Sequence, residues 1–260
     1  MRPYLSHQHP ILFAHRGGAA LWPENTMAAF AGAFDLGIRY METDVHLTAD
    51  GVVVAFHDHT LDRLTNGSGR VDQWRWPDLR RLDAAAGFQA ENGYPLRGTG
   101  LGVLRFEDLV AAFPDALWNV DMKQSAVVEP FADLVMRLGL EDRVMGSSFY
   151  DSRLRRFRRV TGGRVATSAG PREVAKMAAA ARIGRSAHID ADALQIPQRT
   201  GPFGLVNDRL LSVAAASGIA VHVWTVNDAP SMRSLFDAGV DGIMSDRPDV
   251  LVAVAHERPS

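Results

Sequence analysis

The chain has 260 residues, 47% of them hydrophobic, with 28 Lys and Arg against 30 Asp and Glu, a formal charge of −2 and no cysteine. That length and apolar content suit a single domain spanning 1–260 with a sizeable core. The nearly balanced charge excludes a field that would gather nucleic acid or acidic lipid, and the missing cysteine excludes disulfides, thiolate metal sites and a cysteine nucleophile.

The first ten residues hold no apolar stretch followed by a cleavage site, and no later stretch is long enough to span a bilayer, so a cytoplasmic protein without stable membrane insertion is expected. Apolar runs of strand length then alternate with helix-length segments of 3.6 periodicity. Strands are expected at Ile11 to Arg16, Tyr40 to Asp44, Leu117 to Met122, Val144 to Phe149, Val165 to Ser168, Ala193 to Ile196, Ala220 to Val226 and Gly242 to Ser245. Helices are expected at Met27 to Leu36, Phe106 to Phe113, Val127 to Leu138, Arg153 to Val160, Glu173 to Ile183, Asp208 to Ser217, Ser231 to Ala238 and Val250 to His256. Gly37, Gly139, Gly162, Gly184, Gly218 and Gly239 stand where helix C-caps belong. Eight strand and helix pairs predict an α/β fold, a (β/α)8 TIM barrel, with a doubly wound open sheet as the alternative. The Arg-rich run from Arg153 to Arg159 reads as a solvated helix face.

Two features interrupt the alternation after the second strand. Asp50-Gly51 between β-branched runs signals a hairpin with a two-residue turn. That turn would pair Asp44 with His57, Glu42 with His59, Val45 with Phe56 and Leu47 with Val54. One face would carry Val45, Leu47, Val54 and Phe56, and the other Glu42, Asp44, His46, His57 and His59. The segment Thr60 to Gly102 has no long periodic run but holds Trp74, Trp76, Phe88 and Tyr94. It reads as an inserted cap over the barrel mouth that sets substrate choice, with a purely structural cap as the alternative.

Residues at the C-terminal ends of barrel strands line the mouth. His15 and Arg16 end the first strand, Glu42 and Asp44 lie on the second, and Asn119, Asp121 and Lys123 share one face of the third. Glu42, Asp44 and Asp121 form an oxygen-rich cluster that a divalent cation would neutralise, Mg²⁺ or Ca²⁺ in preference to zinc. The alternative pairs each carboxylate with Arg16, Lys123 or a backbone donor. Two imidazoles, His15 and His57, beside a metal, an arginine and a lysine make a phosphoryl-transfer set, with general acid and base between them. Trp224, ending the seventh strand, offers an apolar wall for a substrate. His46 and His59 stand further from this centre, while His7, His9, His188 and His256 have no such context.

His15-Arg16-Gly17-Gly18 with Pro23-Glu24-Asn25-Thr26, then Glu42-Thr43-Asp44-Val45, Asp50-Gly51 and His57-Asp58, resemble the motif set of the glycerophosphodiester phosphodiesterase family. Ser147-Ser148-Phe149, Trp224-Thr225-Val226-Asn227 and Asp241 to Pro248 resemble the family's later strand ends, so the likeness covers nearly the whole chain outside the insertion. The resemblance implies a phospholipase-C-like barrel that hydrolyses small glycerophosphodiesters to glycerol 3-phosphate and an alcohol. It implies His15 and His57 as the acid and base pair, Glu42 and Asp44 as metal ligands, and Arg16 and Lys123 on the phosphate. The family's third ligand is usually a glutamate two residues before the lysine, where this chain has Asp121. Alternative activities are a lysophospholipase D or sphingomyelinase D type of cleavage at a wider mouth, or a barrel that binds a phosphorylated ligand without turnover.

Overall fold

A computed structural model describes residues 2–6, 9–200 and 203–258; His7 lies outside them. Eight strands carry the barrel: β1 Ile11–Ala14, β2 Tyr40–Leu47, β3 Leu117–Met122, β4 Val144–Ser147, β5 Ala166–Thr167, β6 Ala193–Pro197, β7 Ala220–Trp224 and β8 Gly242–Ser245. They are parallel in the order β5-β4-β3-β2-β1-β8-β7-β6, and a bridge between Ser168 and Ala193 joins the two ends. A helix follows each strand, the first being Met27–Asp35 and the last Pro248–His256. The expected TIM barrel is the observed fold, and its strand and helix positions are those read from the periodicity to within a few residues. Side-chain caps start several helices, with Thr26, Asn207 and Asp228 each accepting from a first-turn N–H. Among the described residues no helix is long and apolar enough to cross a membrane.

The pleat divides the side chains between two cores. One parity, including Leu12, Met41, Trp118, Val120, Leu194 and Ile243, packs outward against the helices. The other parity fills the barrel with Ile11, Phe13, Tyr40, Leu117, Met145, Ala166, Ala193 and Met244. Tyr4 closes the bottom, its ring edge-on to Tyr40 and its carbonyl accepting from the Tyr40 hydroxyl at 2.6 Å. Because the inward parity continues up each strand, the residues above this apolar plug must also point into the barrel, and these are the polar ones.

The hairpin differs from the expected pairing by one residue. Val45 pairs with Ala55, His46 with Val54 and Leu47 with Val53. Only Gly51 of the expected turn pair has positive φ, and the Thr48 hydroxyl bonds both Asp50 Oδ1 and the Val52 N–H. The loop is therefore one residue longer than a type I′ turn, and every side chain after it changes face. Val53 and Ala55 join Val45 against the barrel helices, whereas Val54 and Phe56 turn to the other side. There they meet Leu61, Leu64, Val71, Leu79 and Val103, which makes a small core of its own for the insertion. The strand Leu104–Arg105 adds to Val53–Ala55 and returns the chain to the barrel.

Among the described residues, none of those in the insertion lines the central cavity. Its aromatics are spent locally. Trp74 donates to the Ser68 carbonyl, Trp74 and Trp76 pack on the insertion's own core, and Tyr94 stacks under Arg97.

Candidate active site

Asp44 and Asp121 are register partners on β2 and β3, one step above Glu42 and Asn119. Two like charges side by side need a counter-charge, and Lys123 Nζ supplies it at 2.8 Å from Asp44 Oδ1 and 2.7 Å from Asp121 Oδ2. Arg16 Nε lies 3.5 Å from Asp44 Oδ2, and Asn25 Nδ2 donates to that same oxygen at 3.4 Å. Arg16 itself has φ 51, a left-handed conformation that is costly for a side-chain-bearing residue, and this turn directs its backbone N–H to Glu42 Oε2 at 3.0 Å. Glu42, Asp44 and Asp121 are all buried.

These contacts set the charges. Burial and the neighbouring Asp44 push Glu42 up to about 7. Burial would raise Asp44 too, but Lys123 and Arg16 outweigh it and hold its carboxyl below the ordinary range. Asp121 is raised by burial, which Lys123 only partly offsets. Lys123 stays charged, since its two carboxylates overcome the cost of burying it.

His15 and His57 flank this cluster, each with an aspartate on Nδ1. Asp246 Oδ1 lies 2.6 Å from His15 Nδ1, and Asp58 Oδ1 lies 2.6 Å from His57 Nδ1. Both Nε2 atoms are thereby left as the working nitrogens, and His15 Nε2 stands 3.8 Å from Glu42. The two rings differ in basicity. Burial lowers His15, but Glu42 and Asp246 more than compensate and raise it above its ordinary value. Burial also lowers His57, and with Lys123 and Arg16 nearby it ends below its ordinary value. His46 is buried, donates from Nε2 to the His57 carbonyl at 3.2 Å and is kept neutral, its value pushed down to about 4 by burial. His59 is exposed, and its ring packs edge-on against His46. His9, His188 and His256 are exposed, as their context implied.

Several groups in this arrangement carried no assigned role in the sequence: Glu24, Asp58, Arg63, Asp246 and Asn227. Arg63 bonds Asp58 through Nε and Nη2 at 2.7 and 2.9 Å, and Glu24 through Nη1 and Nη2, both at 2.9 Å. Glu24 in turn accepts from Arg16 Nη1 at 2.9 Å. Asn227 donates to Asp246 Oδ2 at 2.9 Å. Asp246 could have been found as the inward residue just past β8, and Asp58 as the acid beside His57. Arg63 gave no signal, standing alone in an aperiodic loop.

The site opens into a cavity of about 540 Å³ lined by His15, Arg16, Glu42, Asp44, His57, Asp121, Lys123 and Trp224 among others. All eight residues expected in the site therefore meet in one cavity. Its floor is a closed polar network in which Asn119 Oδ1 accepts from Ser147 and Gln195.

A hard divalent cation suits this donor set. Three carboxylates converge, Glu42 bears the electrostatic cost of burial beside Asp44, and Asp121 Oδ1 is buried with no hydrogen-bond partner. As the side chains stand, however, Lys123 engages one oxygen each of Asp44 and Asp121, and the Arg16 N–H engages Glu42. Among the described residues no three His, Asp or Glu side chains surround a common point at ligand distance. The pairing with Arg16 and Lys123 is what the side chains display, and the oxygen donors are what a cation could recruit.

Comparison with known proteins places this geometry in context. The model of the glycerophosphoryl diester phosphodiesterase family matches residues 15–250. A probable glycerophosphodiester phosphodiesterase of Mycobacterium tuberculosis is 36% identical over 254 residues, covering 95% of this chain and 91% of its own. A glycerophosphodiester phosphodiesterase of known structure from Agrobacterium tumefaciens superposes with a TM-score of 0.77 at 25% identity, covering 94% of this chain and 99% of its own. A phosphodiesterase from Oleispira antarctica, solved in complex with the product sn-glycerol-3-phosphate, gives a TM-score of 0.77 at 24% identity, covering 95% and 97%; that likeness is one of fold.

Proposed function

The chain belongs to the glycerophosphoryl diester phosphodiesterase family and is a glycerophosphodiester phosphodiesterase, and from that premise we propose that it releases glycerol 3-phosphate by general acid and base catalysis between His57 and His15. The observation that carries this reading is the pair of oriented imidazoles on either side of one carboxylate cluster, with unequal basicity. The sn-glycerol-3-phosphate bound to the Oleispira antarctica protein supports the product.

His57 is neutral near pH 7 and takes a proton from the attacking oxygen at Nε2. His15, raised above its ordinary value by Glu42 and Asp246, is the more readily protonated of the two and delivers its proton to the departing alkoxide. Arg16 and Lys123 bind the phosphate oxygens and share the charge that grows on them. Glu42, Asp44 and Asp121 would hold a divalent cation, Mg²⁺ or Ca²⁺, which when bound polarises the phosphate. Asp246 and Asp58 fix the tautomer and direction of the two rings.

The test is turnover of glycerophosphocholine, glycerophosphoethanolamine, glycerophosphoglycerol and a lysophospholipid by purified protein, with and without chelator, scored by release of glycerol 3-phosphate. Binding of all four without release would favour a phospho-ligand barrel and end the catalytic reading.

A further inference from the structure

The cavity changes character away from the carboxylates. Phe149, Val174, Ala175, Ala178, Leu205 and Trp224 form its far side, and among the described residues its lining past the site itself holds no charged side chain. Val174, Ala175 and Ala178 share one face of the helix Pro171–Arg182, beside the stripe of Met177, Ala180 and Ala181 that packs into the core. Val174 and Leu205 pack partly against that same core, whereas Ala175 and Ala178 leave apolar surface open toward the cavity, where a barrel helix ordinarily turns polar residues to solvent. Trp224 links the two regions, since it lies in the site cavity and meets the ring of Phe149 edge-on at 5.5 Å. At the rim Phe149 is 60% exposed and Tyr150 58%.

We propose that this groove takes the hydrocarbon chain of a single-chain phosphodiester, in which glycerol phosphate is esterified to a long alkyl or acyl-bearing alcohol. The inference rests on the catalytic reading above and adds the substrate class. Among the described residues a cationic head group finds no carboxylate on this side. The hydrogen-bonding groups of the floor, Asn119, Ser147 and Gln195, are bonded to one another and so offer little to a polyol. A chain laid from Trp224 toward Phe149 would instead remove apolar surface from water on both partners. Hydrolysis then adds the hydroxyl of water to phosphorus and its proton to the departing alkoxide, with no change of oxidation state.

The experiment compares glycerol phosphodiesters of methyl, butyl, octyl and dodecyl alcohol, each below its micelle-forming concentration, with glycerophosphocholine. Calorimetric binding of methyl, butyl, octyl and dodecyl phosphate is measured in parallel. The groove predicts a rise of about two- to fourfold in kcat/KM per added methylene until it is filled. It also predicts tighter binding and a more negative heat capacity change along the phosphate series. Glycerophosphocholine should turn over near the rate of the methyl ester. Val174→Asp should flatten the chain-length slope, and if that variant does not fold, the calorimetric series on the native protein decides. A flat series, a rise seen only above micelle formation, or a preference for glycerophosphocholine over the octyl ester would overturn the proposal. If no ester of any length is cleaved, the catalytic reading fails, while the calorimetric series still tests the groove.

Discussion

Glu24 and Arg63, 39 residues apart in sequence, are joined by two hydrogen bonds of 2.9 Å. The same guanidinium holds Asp58, so one arginine from the insertion ties the loop carrying His15 and Arg16 to the loop carrying His57. Arg63 acts through others and is a positioning residue. Arg63→Ala should lower kcat/KM about tenfold, the scale of one charge-assisted hydrogen bond lost at a positioning group. It should also move the acidic limb of the pH profile upward, because Asp58 would then act on His57 without a competing cation. Arg63→Lys, which keeps the charge but not the fork, should fall between. An unchanged pH profile in Arg63→Ala would reduce Arg63 to a surface tie.

The unequal histidines predict a bell-shaped dependence of kcat/KM on pH. His57 lies below its ordinary value of about 6.5, so its base function is present above that depressed value and is lost as pH falls through it. His15 is raised, so its acid function is present below the raised value and is lost as pH rises through it. His57→Ala should cost about a hundredfold or more and remove the acidic limb, while His15→Ala should cost as much and remove the basic one. The double variant should lose far less than the product of the two. If His57→Ala kept its acidic limb, the roles would be reversed.

Asp121→Asn keeps the shape of the side chain and removes its charge. Titration with Mg²⁺, Ca²⁺ or Mn²⁺ should show weaker binding in this variant, and chelator should abolish turnover in the native protein until metal is restored. Asp121→Glu should keep most of the affinity, its extra methylene being taken up by a small retreat of the carboxylate. Full turnover under chelation would leave the carboxylates to their pairing with Lys123 and Arg16.

Gly87 supports Arg63 from below. A Cβ added there would stand 2.0 Å from the Arg63 carbonyl oxygen, so that segment would have to move. Gly87→Ala should destabilise the protein by about 1–3 kcal/mol in thermal unfolding, the scale of overpacking, and lower kcat in the same sense as Arg63→Ala. A stable variant with native kcat would show that the insertion absorbs the shift.

The barrel was legible because each strand and helix pair carries its own signal, an apolar run, a 3.6-residue stripe and a glycine at the helix end. The inward polar residues were legible for the same reason, since period two places Asn119, Asp121 and Lys123 on one face once the strand is known. The hairpin register was not. Asp50-Gly51 marks a turn correctly, but the Thr48 hydroxyl, bonded to Asp50 and Val52, lengthens the loop by one residue, and a hydroxyl bond of that kind leaves no periodic trace. The error moved Val54 and Phe56 to the wrong face, and with them the reading of the insertion, whose core they begin. His57 still reaches the site, because the chain leaves the strand before it.

The bridge between Ser168 and Ala193 closes the barrel where β5 is only two residues long, supported by the bonds from Asp192 N to the Thr167 carbonyl and from Ala169 N to the Ala193 carbonyl. Ser168 and Ala169 also border the apolar groove, whereas the carboxylates stand on β2 and β3, which share a continuous ladder from Tyr40 to Val45. The wall is thus thinnest in hydrogen bonds beside the groove and thickest beside the charges, so in hydrogen exchange the amides of Ala169 and Asp192 should open well before those of the β2 and β3 ladder. A seam that parts there would let the groove breathe around chains of different girth while the phosphate end holds still.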